Sequence, residues 1–298
     1  MPPLTLALTG ATGFCGSYVA GLAAARGHRV LALGRRPARH GEHVPWDAAA
    51  PEVPDLRGVD AVVHCAAAVG DLPPGSAGEA GQWAVNVGAT ERLLGAAAGR
   101  PFVFVSSASV YDPRPDRSLV TEEHPTEGGH LNAYGRTKAV ADRLALAAGA
   151  VVLRPRAVYG AGDPHLVPRL LGSVRRGVLA LPGGDVELSL TAVENLAAAC
   201  LAAVEWPAGA YNVADARPYR RDAALRGVLA AHGRSARLLH LPGPVAALAV
   251  GRREGVTRYA LDQLARPVVL DTTKSRLRGF TPGRDLDDYL VRPGRPSP

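Results

Sequence analysis

The first 155 residues alternate between short apolar runs and longer stretches with helical periodicity. Apolar runs of strand length lie at residues 4–8, 29–33, 42–46, 59–65, 101–106 and 151–154. Helical stretches are predicted after the first, fourth and fifth of these runs, ending near residues 26, 98 and 149. Strands that alternate with helices at this spacing predict an α/β fold with a doubly wound parallel sheet.

The turn after the first strand carries three glycines. It reads Thr9-Gly10-Ala11-Thr12-Gly13-Phe14-Cys15-Gly16 and opens a helical stretch. In such a strand–turn–helix, Gly10 permits the tight turn, Gly13 lets backbone N–H groups approach a pyrophosphate, and Gly16 lets helix and strand pack closely. The phosphates would lie at the positive end of the helix. The segment predicts dinucleotide binding, with contacts at Gly10, Thr12, Gly13, Phe14 and Gly16.

The end of the second strand indicates which dinucleotide binds. A chain that reads the free 2′-hydroxyl of NAD usually has Asp or Glu there, whereas an arginine accommodates a 2′-phosphate. This chain has Gly34-Arg35-Arg36, and its next acid is Glu42. We therefore predict NADP(H) as the cofactor in preference to NAD(H), although an arginine-rich chain has arginines in many places.

Beyond residue 160 the alternation loosens into short pieces separated by Pro and Gly. The exceptions are a helix predicted at 193–204 and a strand at 211–213. We expect a dinucleotide-binding domain at residues 1–160, to which residues 189–215 return. Residues 161–188 and 216–298 would form a smaller C-terminal substrate-binding lobe, since ligands in such sheets bind beyond the carboxyl ends of the strands.

Composition excludes several classes of protein. With 298 residues, 47% of them hydrophobic, the chain can bury one large core or a main domain with an appendage. The three cysteines (Cys15, Cys65 and Cys200) are too widely spaced for a disulfide framework or a zinc site, so we expect no metal and a cytoplasmic location. The net charge is +7, but the arginines are dispersed and no nucleic-acid-reading module is recognisable. No apolar stretch is long enough to span a bilayer, so we expect neither nucleic acid nor membrane as a partner.

Tyr134 and Lys138 are a candidate proton-transfer pair. Lys138 is one of only two lysines among 34 basic residues, so a chain that otherwise uses arginine has a compact ammonium here. Residues four apart share one face of a helix, which places the ammonium beside the phenol. A nearby positive charge lowers the pKa of a phenol from about 10, and such a tyrosine can exchange a proton near neutral pH. The pattern is short, and a surface Tyr and Lys can match it by chance.

Further motifs follow one another along the chain. They are Thr9-Gly10-x-x-Gly13-x-x-Gly16, Asp60-x-Val62-x-His64-x-Ala66-Ala67, Asn86-Val87-Gly88-Ala89-Thr90, Ser106-Ser107-Ala108-Ser109-Val110-Tyr111, Tyr134-x-x-x-Lys138, Leu153-Arg154-Pro155 with Val158-Tyr159-Gly160, and Tyr211-Asn212-Val213. In this order they resemble the extended short-chain dehydrogenase/reductase family, in its NAD(P)-dependent epimerase/dehydratase and 3β-hydroxysteroid-dehydrogenase-like branch. The resemblance covers nearly the whole chain and implies a Rossmann fold and an NAD(P)-dependent oxidoreductase.

The resemblance also implies a catalytic set. Tyr134 would be the general acid/base on the substrate oxygen, and Lys138 would hold the nicotinamide ribose and lower the phenol pKa. Ser107 would hydrogen-bond the substrate carbonyl or alcohol. Ser106 should point to the opposite face of its strand, and Ser109 is the reserve candidate.

The remaining implied contacts concern the cofactor and the substrate. Asp47 would meet the adenine amine, Ala66 and Ala67 would line the nucleotide cleft, and the segment from Pro155 to Val158 would meet the carboxamide. The substrate candidates are Ser109, Tyr159 and His165, of which the latter two match solvated or capping residues as well. His64 ends a buried strand, and its family counterpart is structural.

This set favours hydride transfer. Exchange of a hydride between NADP(H) and a small-molecule ketone or secondary alcohol needs only Ser107, Tyr134, Lys138 and the cofactor. Dehydration of a 4-keto sugar would need an acidic pair after the active-site serine, where Ala108 and Ser109 stand. We therefore expect a ketoreductase or secondary-alcohol dehydrogenase.

Two alternatives stay open. A nucleotide-sugar epimerase or 4-ketoreductase is the first, although residues 185–195 lack the arginine that many nucleotide-sugar members carry. A non-catalytic NADP-binding sensor is the second, and the intact Ser107, Tyr134 and Lys138 set argues against it. Dimers through two packed helices are common in this family, so a homodimer is expected.

Overall fold

The computed structural model describes residues 2–248, 250 and 256–294. The strands are β1 (Thr5–Thr9), β2 (Arg29–Gly34), β3 (Glu42–Pro45), β4 (Ala61–His64), β5 (Phe102–Val105), β6 (Val151–Pro155), β7 (Val158–Tyr159), β8 (Val178–Pro182), β9 (Glu187–Leu188), β10 (Thr191–Ala192), β11 (Gly209–Val213), β12 (Tyr219–Arg220) and β13 (Arg237–Leu241). The helices are α1 (Phe14–Ala25), α2 (Glu79–Trp83), α3 (Ala89–Ala97), α4 (Ala133–Ala147), α5 (Leu166–Ser173), α6 (Val193–Ala202), α7 (Arg221–Ala231), α8 (Gly243–Ala247), α9 (Arg258–Ala265), α10 (Thr273–Arg276) and α11 (Leu286–Val291).

Seven of the strands form one parallel sheet. Their order is β11-β6-β5-β4-β1-β2-β3, with every neighbouring pair parallel. The chain therefore builds outwards from β1 in both directions, and the crevice at this reversal is where open α/β sheets bind ligands. The doubly wound α/β sheet expected from the sequence is confirmed.

The two faces of this sheet bury separate apolar layers. On β1, Leu6 and Leu8 pack with Val19 of α1 and Leu196 of α6. Ala7 points the other way, into a layer that includes residues of α3 and α4. Successive side chains on a strand alternate between faces, so one short apolar run supplies both layers.

The helix predicted up to residue 98 is interrupted. A π-helical turn at Ala84–Gly88 separates α2 from α3. Within this turn the Asn86 amide accepts a hydrogen bond from Ala68 N at 2.8 Å and donates to Ala68 O at 3.1 Å. The widened turn thus presents Asn86 to the loop after β4, and sequence periodicity does not report such a local change.

The elements outside the main sheet are short. Three two-stranded pairs connect them, β7 with β10, β9 with β12, and β8 with β13. Along the chain, α6 packs on the main sheet and β11 pairs with β6. The division into a dinucleotide-binding domain and a substrate-binding lobe stays a prediction. Over the described ranges, each helix is too short or too polar to cross a membrane.

Candidate active site

The glycine turn between β1 and α1 is closed to larger side chains. Gly10 has φ +73°, and a Cβ there would lie 2.8 Å from Ala66 N in the loop after β4. A Cβ at Gly16 would lie 2.2 Å from Gly10 O. Helix α1 starts after Gly13 without a side-chain cap and without an acid in its first turn. Its first N–H groups and dipole therefore fit an anionic pyrophosphate.

The other predicted cofactor contacts lie along the same edge of the sheet. Arg35 and Arg36 follow β2 directly and are exposed. Asp47 follows β3, and its carboxylate accepts a hydrogen bond from Ala49 N at 3.0 Å. Ala66 N donates to Thr9 Oγ1 at 3.1 Å, which ties the ends of β4 and β1 together. The remaining predicted contacts lie in the turn before α1 (Thr12), at the first position of α1 (Phe14), after β4 (Ala67) and at the β6–β7 junction (Pro155, Val158).

Ser107, Tyr134 and Lys138 meet at the carboxyl end of β5. Ser107 lies two residues after the end of β5 and caps a short 3-10 turn. Its Oγ accepts a hydrogen bond from Ser109 N at 3.1 Å. Tyr134 lies in the first turn of α4, and its phenol is close enough to Ser107 for this side chain to lower the phenol pKa against the effect of burial. The Lys138 ammonium donates to Val105 O at 2.7 Å and lies 3.8 Å from the centroid of the Phe104 ring. The three candidate catalytic side chains therefore converge.

The acid–base properties differ from the sequence expectation. Burial raises the pKa of the Tyr134 phenol, the Tyr259 phenol acts in the same direction, and the Ser107 side chain opposes them. Burial lowers the pKa of the Lys138 ammonium to about 7, against the attraction of the Asp142 carboxylate. The expected lowering of the phenol pKa by Lys138 is thus not what this structure shows. Spacing on a helix face brings two residues together but does not predict how deeply both are buried.

The neighbouring serine belongs to a buried ion-pair network. Ser106 Oγ donates to Asp142 Oδ2 at 2.6 Å, and Arg154 Nη2 donates to Asp142 Oδ1 at 2.7 Å. Ser106 therefore points away from Tyr134, as strand alternation predicts. The network fixes α4, which carries Tyr134 and Lys138, against β5 and β6.

His64 has two partners that account for its burial. Its Nδ1 lies 2.6 Å from Thr9 Oγ1 and its Nε2 lies 3.0 Å from Thr90 Oγ1. Burial and the Lys138 charge lower its pKa to about 3, so the ring is neutral at ordinary pH. These contacts agree with the structural role expected for it.

Of the three candidate substrate residues, the structure brings one to the catalytic set. Ser109 Oγ accepts from Ser107 Oγ at 3.0 Å. Tyr159 is buried and its hydroxyl donates to Asp215 Oδ2 at 2.7 Å, inside the protein. His165 is exposed at the start of α5. In the described part of the chain, neither Tyr159 nor His165 is hydrogen-bonded to Ser107, Tyr134 or Lys138.

Sequence analysis missed two residues near this set. Tyr259 of α9 places its hydroxyl 2.7 Å from Ser109 Oγ, although it stands more than a hundred positions further along the chain. Arg156 is buried just after β6. Its guanidinium donates hydrogen bonds to Ser189 O and to Gln263 O of α9. Arg156 directly follows the matching Leu153-Arg154-Pro155 motif and could have been suspected, whereas no local pattern marks Tyr259.

Comparison with known proteins agrees with this geometry. The model of the NAD dependent epimerase/dehydratase family matches residues 6–214. This chain belongs to that family. The resemblance to the extended short-chain dehydrogenases/reductases that the motifs indicated is confirmed.

Individual members of the family show the range of similarity. A 2-alkyl-3-oxoalkanoate reductase of Stenotrophomonas maltophilia (strain K279a) is 31% identical over 220 residues, 68% of this chain and 66% of that protein. The chain thus spans just under two thirds of this relative's length. A 4-hydroxy-2-methyl-3-oxo-4-farnesyl-3,4-dihydroquinoline-1-oxide ketoreductase of Stigmatella aurantiaca is 29% identical over 301 residues, 94% of this chain and 86% of that protein.

A solved structure shares the fold. MoeE5 in complex with UDP-glucuronic acid and NAD superposes with a TM-score of 0.76 at 24% identity, covering 96% of both chains. At this level of identity the likeness shows the architecture and not the substrate.

Proposed function

We propose that this protein is an NADP(H)-dependent ketoreductase or secondary-alcohol dehydrogenase acting on a small-molecule ketone or alcohol. The observation that carries the proposal is the convergence of Ser107, Tyr134 and Lys138 beside a glycine turn that fits a dinucleotide. When bound, the nicotinamide supplies or accepts the hydride.

The protein's own groups hold the substrate and move the proton. Ser107 donates a hydrogen bond to the carbonyl oxygen, and Tyr134 gives its phenolic proton to that oxygen as the alcohol forms. Because burial raises the phenol pKa, Tyr134 is protonated near neutral pH and suits the role of acid in the reductive direction. Lys138 uses one N–H on Val105 O, so its remaining hydrogens are left for the nicotinamide ribose.

The cofactor preference rests on the end of β2. Arg35 and Arg36 are exposed there, where the 2′ position of the adenosine ribose lies in this fold. Two guanidinium groups favour a 2′-phosphate, and Asp47 would reach the adenine from the end of β3. We propose NADP(H) on this basis.

Relatives support reduction of a ketone. Family membership and the names of both relatives, each a reductase of an oxo compound, support an NAD(P)-dependent oxidoreductase of the extended type. The second candidate is a nucleotide-sugar epimerase, which membership of the NAD dependent epimerase/dehydratase family favours. We rank it second because a pocket with two arginines suits a dissociable NADPH rather than a retained NAD.

Turnover by a Tyr134→Phe variant tests the proposal. The wild type, given NADPH and a panel of ketones and 4-keto nucleotide sugars, should consume NADPH with a ketone, and Tyr134→Phe should abolish this while still binding NADPH. Tyr211→Phe is the matched control, since its hydroxyl donates to Pro207 O at 2.8 Å, just before the amino end of β11. An active Tyr134→Phe protein would remove Tyr134 from the mechanism. Interconversion of nucleotide sugars without net NADPH consumption would favour the epimerase instead.

We also propose the expected homodimer. Light scattering of the purified chain gives its mass, and a monomer at working concentration would contradict this part of the proposal.

A further inference from the structure

Three hydroxyl groups form a continuous chain beside Tyr134 in the active site. Ser107 Oγ donates to Ser109 Oγ at 3.0 Å, and the hydroxyls of Ser109 and Tyr259 are 2.7 Å apart. The Ser107 side chain also lowers the pKa of the Tyr134 phenol against the effect of burial. Reduction of an isolated ketone uses only Tyr134 and Ser107. The Ser109 and Tyr259 hydroxyls are therefore a second set of hydrogen-bonding groups beside the first. We call Ser107 with Tyr134 the first station and Ser109 with Tyr259 the second station.

The spacing of the two stations limits the substrate. The Ser107 and Ser109 oxygens are a hydrogen-bond length apart, and the two hydroxyls satisfy one another. Two oxygens on adjacent carbons, or on carbons separated by one other, reach the same separation, as the internal hydrogen bond of a β-oxo acid enol shows. If the substrate has a second oxygen this close to the reacting oxygen, the hydrogen bond between Ser107 and Ser109 can be replaced by one hydrogen bond from each serine to the substrate.

Arg156 is the charge that acts most strongly on the second station. It is 5% exposed, and its guanidinium donates to Ser189 O at 2.7 Å and to Gln263 O at 3.2 Å. Its Nε is buried without a hydrogen-bond partner among the described residues. Gln263 and Tyr259 are four residues apart on α9 and share a face, so Arg156 lies on the Tyr259 side of this helix. Burial raises the pKa of the Tyr259 phenol, whereas the Arg156 charge lowers it, and the Asp71 and Asp262 carboxylates oppose Arg156 with smaller effects.

Arg156 differs from the other buried arginines of this region. Arg154 is paired with Asp142, and Arg117 is paired with Asp262. In the part of the chain that the structure describes, no carboxylate forms an ion pair with Arg156. The Asp262 carboxylate, which pairs with Arg117, attracts Arg156 without forming an ion pair with it, and the Arg117 charge repels it. A buried cation without a directly bonded anion is costly, and an anionic ligand would offset that cost.

We propose that the substrate is an oxo acid or the matching hydroxy acid, with its carboxylate one or two carbons from the reacting carbon. Ser107 and Tyr134 hold the reacting oxygen, and Ser109 and Tyr259 hold a carboxylate oxygen in the positive field of Arg156. This rests on the proposed hydride transfer. In the oxidative direction Tyr134 first releases its phenolic proton to solvent. The alcohol carbon then gives a hydride to NADP⁺, the alcohol proton passes to the Tyr134 phenolate, and the keto acid is released.

The unaltered protein provides the first test. The 2-hydroxy and 3-hydroxy acids of one carbon chain are compared with their methyl esters, with NADP⁺ as oxidant and NADPH formation as the signal. Hydroxy acids are used because 3-oxo acids lose CO₂ in solution. We expect kcat/KM for one of the two acids to exceed that for its ester at least tenfold, and the better acid tells which spacing the site reads.

The possible failures are distinguishable. If esters or simple alcohols are oxidised as well as the acids, the carboxylate assignment is wrong while the proposed hydride transfer stands. If no alcohol or ketone of any kind is turned over by protein that binds NADP⁺, both fall.

Two variants locate the carboxylate. Tyr259→Phe should lower the acid-to-ester ratio of kcat/KM about tenfold, mainly through KM, because one hydrogen bond to a charged group is lost. Tyr211→Phe, whose hydroxyl donates to Pro207 O, should keep the wild-type ratio. Arg156→Gln should weaken binding of an unreactive acid of the same chain to the NADP⁺ complex, measured by calorimetry. A wild-type ratio in Tyr259→Phe overturns the assignment, and this result does not depend on whether Arg156→Gln folds.

Discussion

Lys138 offers a direct test of how burial controls the chemistry of this site. Its ammonium is 1% exposed, lies against the Phe104 ring and donates to Val105 O. Burial lowers its pKa from 10.5 to about 7. Between these two values the unfolded chain binds more protons than the folded one, so the free energy of unfolding rises with pH. The perturbation is Lys138→Met, which keeps the length of the side chain and removes the charge.

The magnitude follows from the two pKa values. One pKa unit corresponds to about 1.4 kcal/mol, and half of the folded-state lysine is protonated near pH 7. From pH 7 to pH 9 the Lys138 contribution to the free energy of unfolding should therefore increase by about 2 kcal/mol. The other titrating groups are common to both proteins, so the difference between wild type and Lys138→Met isolates this contribution.

Urea denaturation at pH 7, 8 and 9 measures the effect. The wild type should gain stability relative to Lys138→Met as the pH rises. Lys274→Met, at the chain's other lysine on α10, controls for loss of a lysine side chain as such. A difference between wild type and Lys138→Met that stays constant over this range would refute the reasoning, and one that shrinks would mean that the folded protein binds the proton more tightly.

Three further predictions concern the cofactor site and the core. NADPH should bind at least tenfold more tightly than NADH in a fluorescence titration. The double variant Arg35→Gln/Arg36→Gln should lose this preference, and the control Arg39→Gln should keep it. Equal affinities in the wild type would contradict the cofactor proposal. Gly16→Ala should lose NADPH affinity and thermal stability, because its Cβ would lie 2.2 Å from Gly10 O. Gly95→Ala, with open space around the added Cβ, should lose neither. Identical melting curves for Gly16→Ala and the wild type would show that the turn can relax. Arg154→Met leaves the buried Asp142 carboxylate without its ion-pair partner and should lower the free energy of unfolding by about 3–5 kcal/mol, measured by urea denaturation. An unchanged free energy of unfolding would contradict this prediction.

The features of the site that the sequence indicated are local in sequence. The glycine turn, the strands around it and the Tyr134 and Lys138 spacing are patterns of a few residues, and each can be recognised without knowing what packs nearby. The family resemblance and strand alternation together favoured Ser107 over Ser106, which lies against Asp142. The doubly wound parallel character of the sheet also follows from alternating strands and helices, because parallel strands need crossover connections. The order of the seven strands was not predicted.

The tertiary structure alone decided the contacts between residues that are far apart in the chain. Tyr259 reaches Ser109 because α9 folds back over the carboxyl end of the sheet, and Arg156 becomes a buried cation because Ser189 and Gln263 close around it. The π-helical turn at Asn86 and the pKa values of Tyr134 and Lys138 belong to the same class. Hydrophobic periodicity reports which face of an element is buried. Desolvation and long-range hydrogen bonds depend on which other elements cover that face, and this is set only when the whole chain is packed.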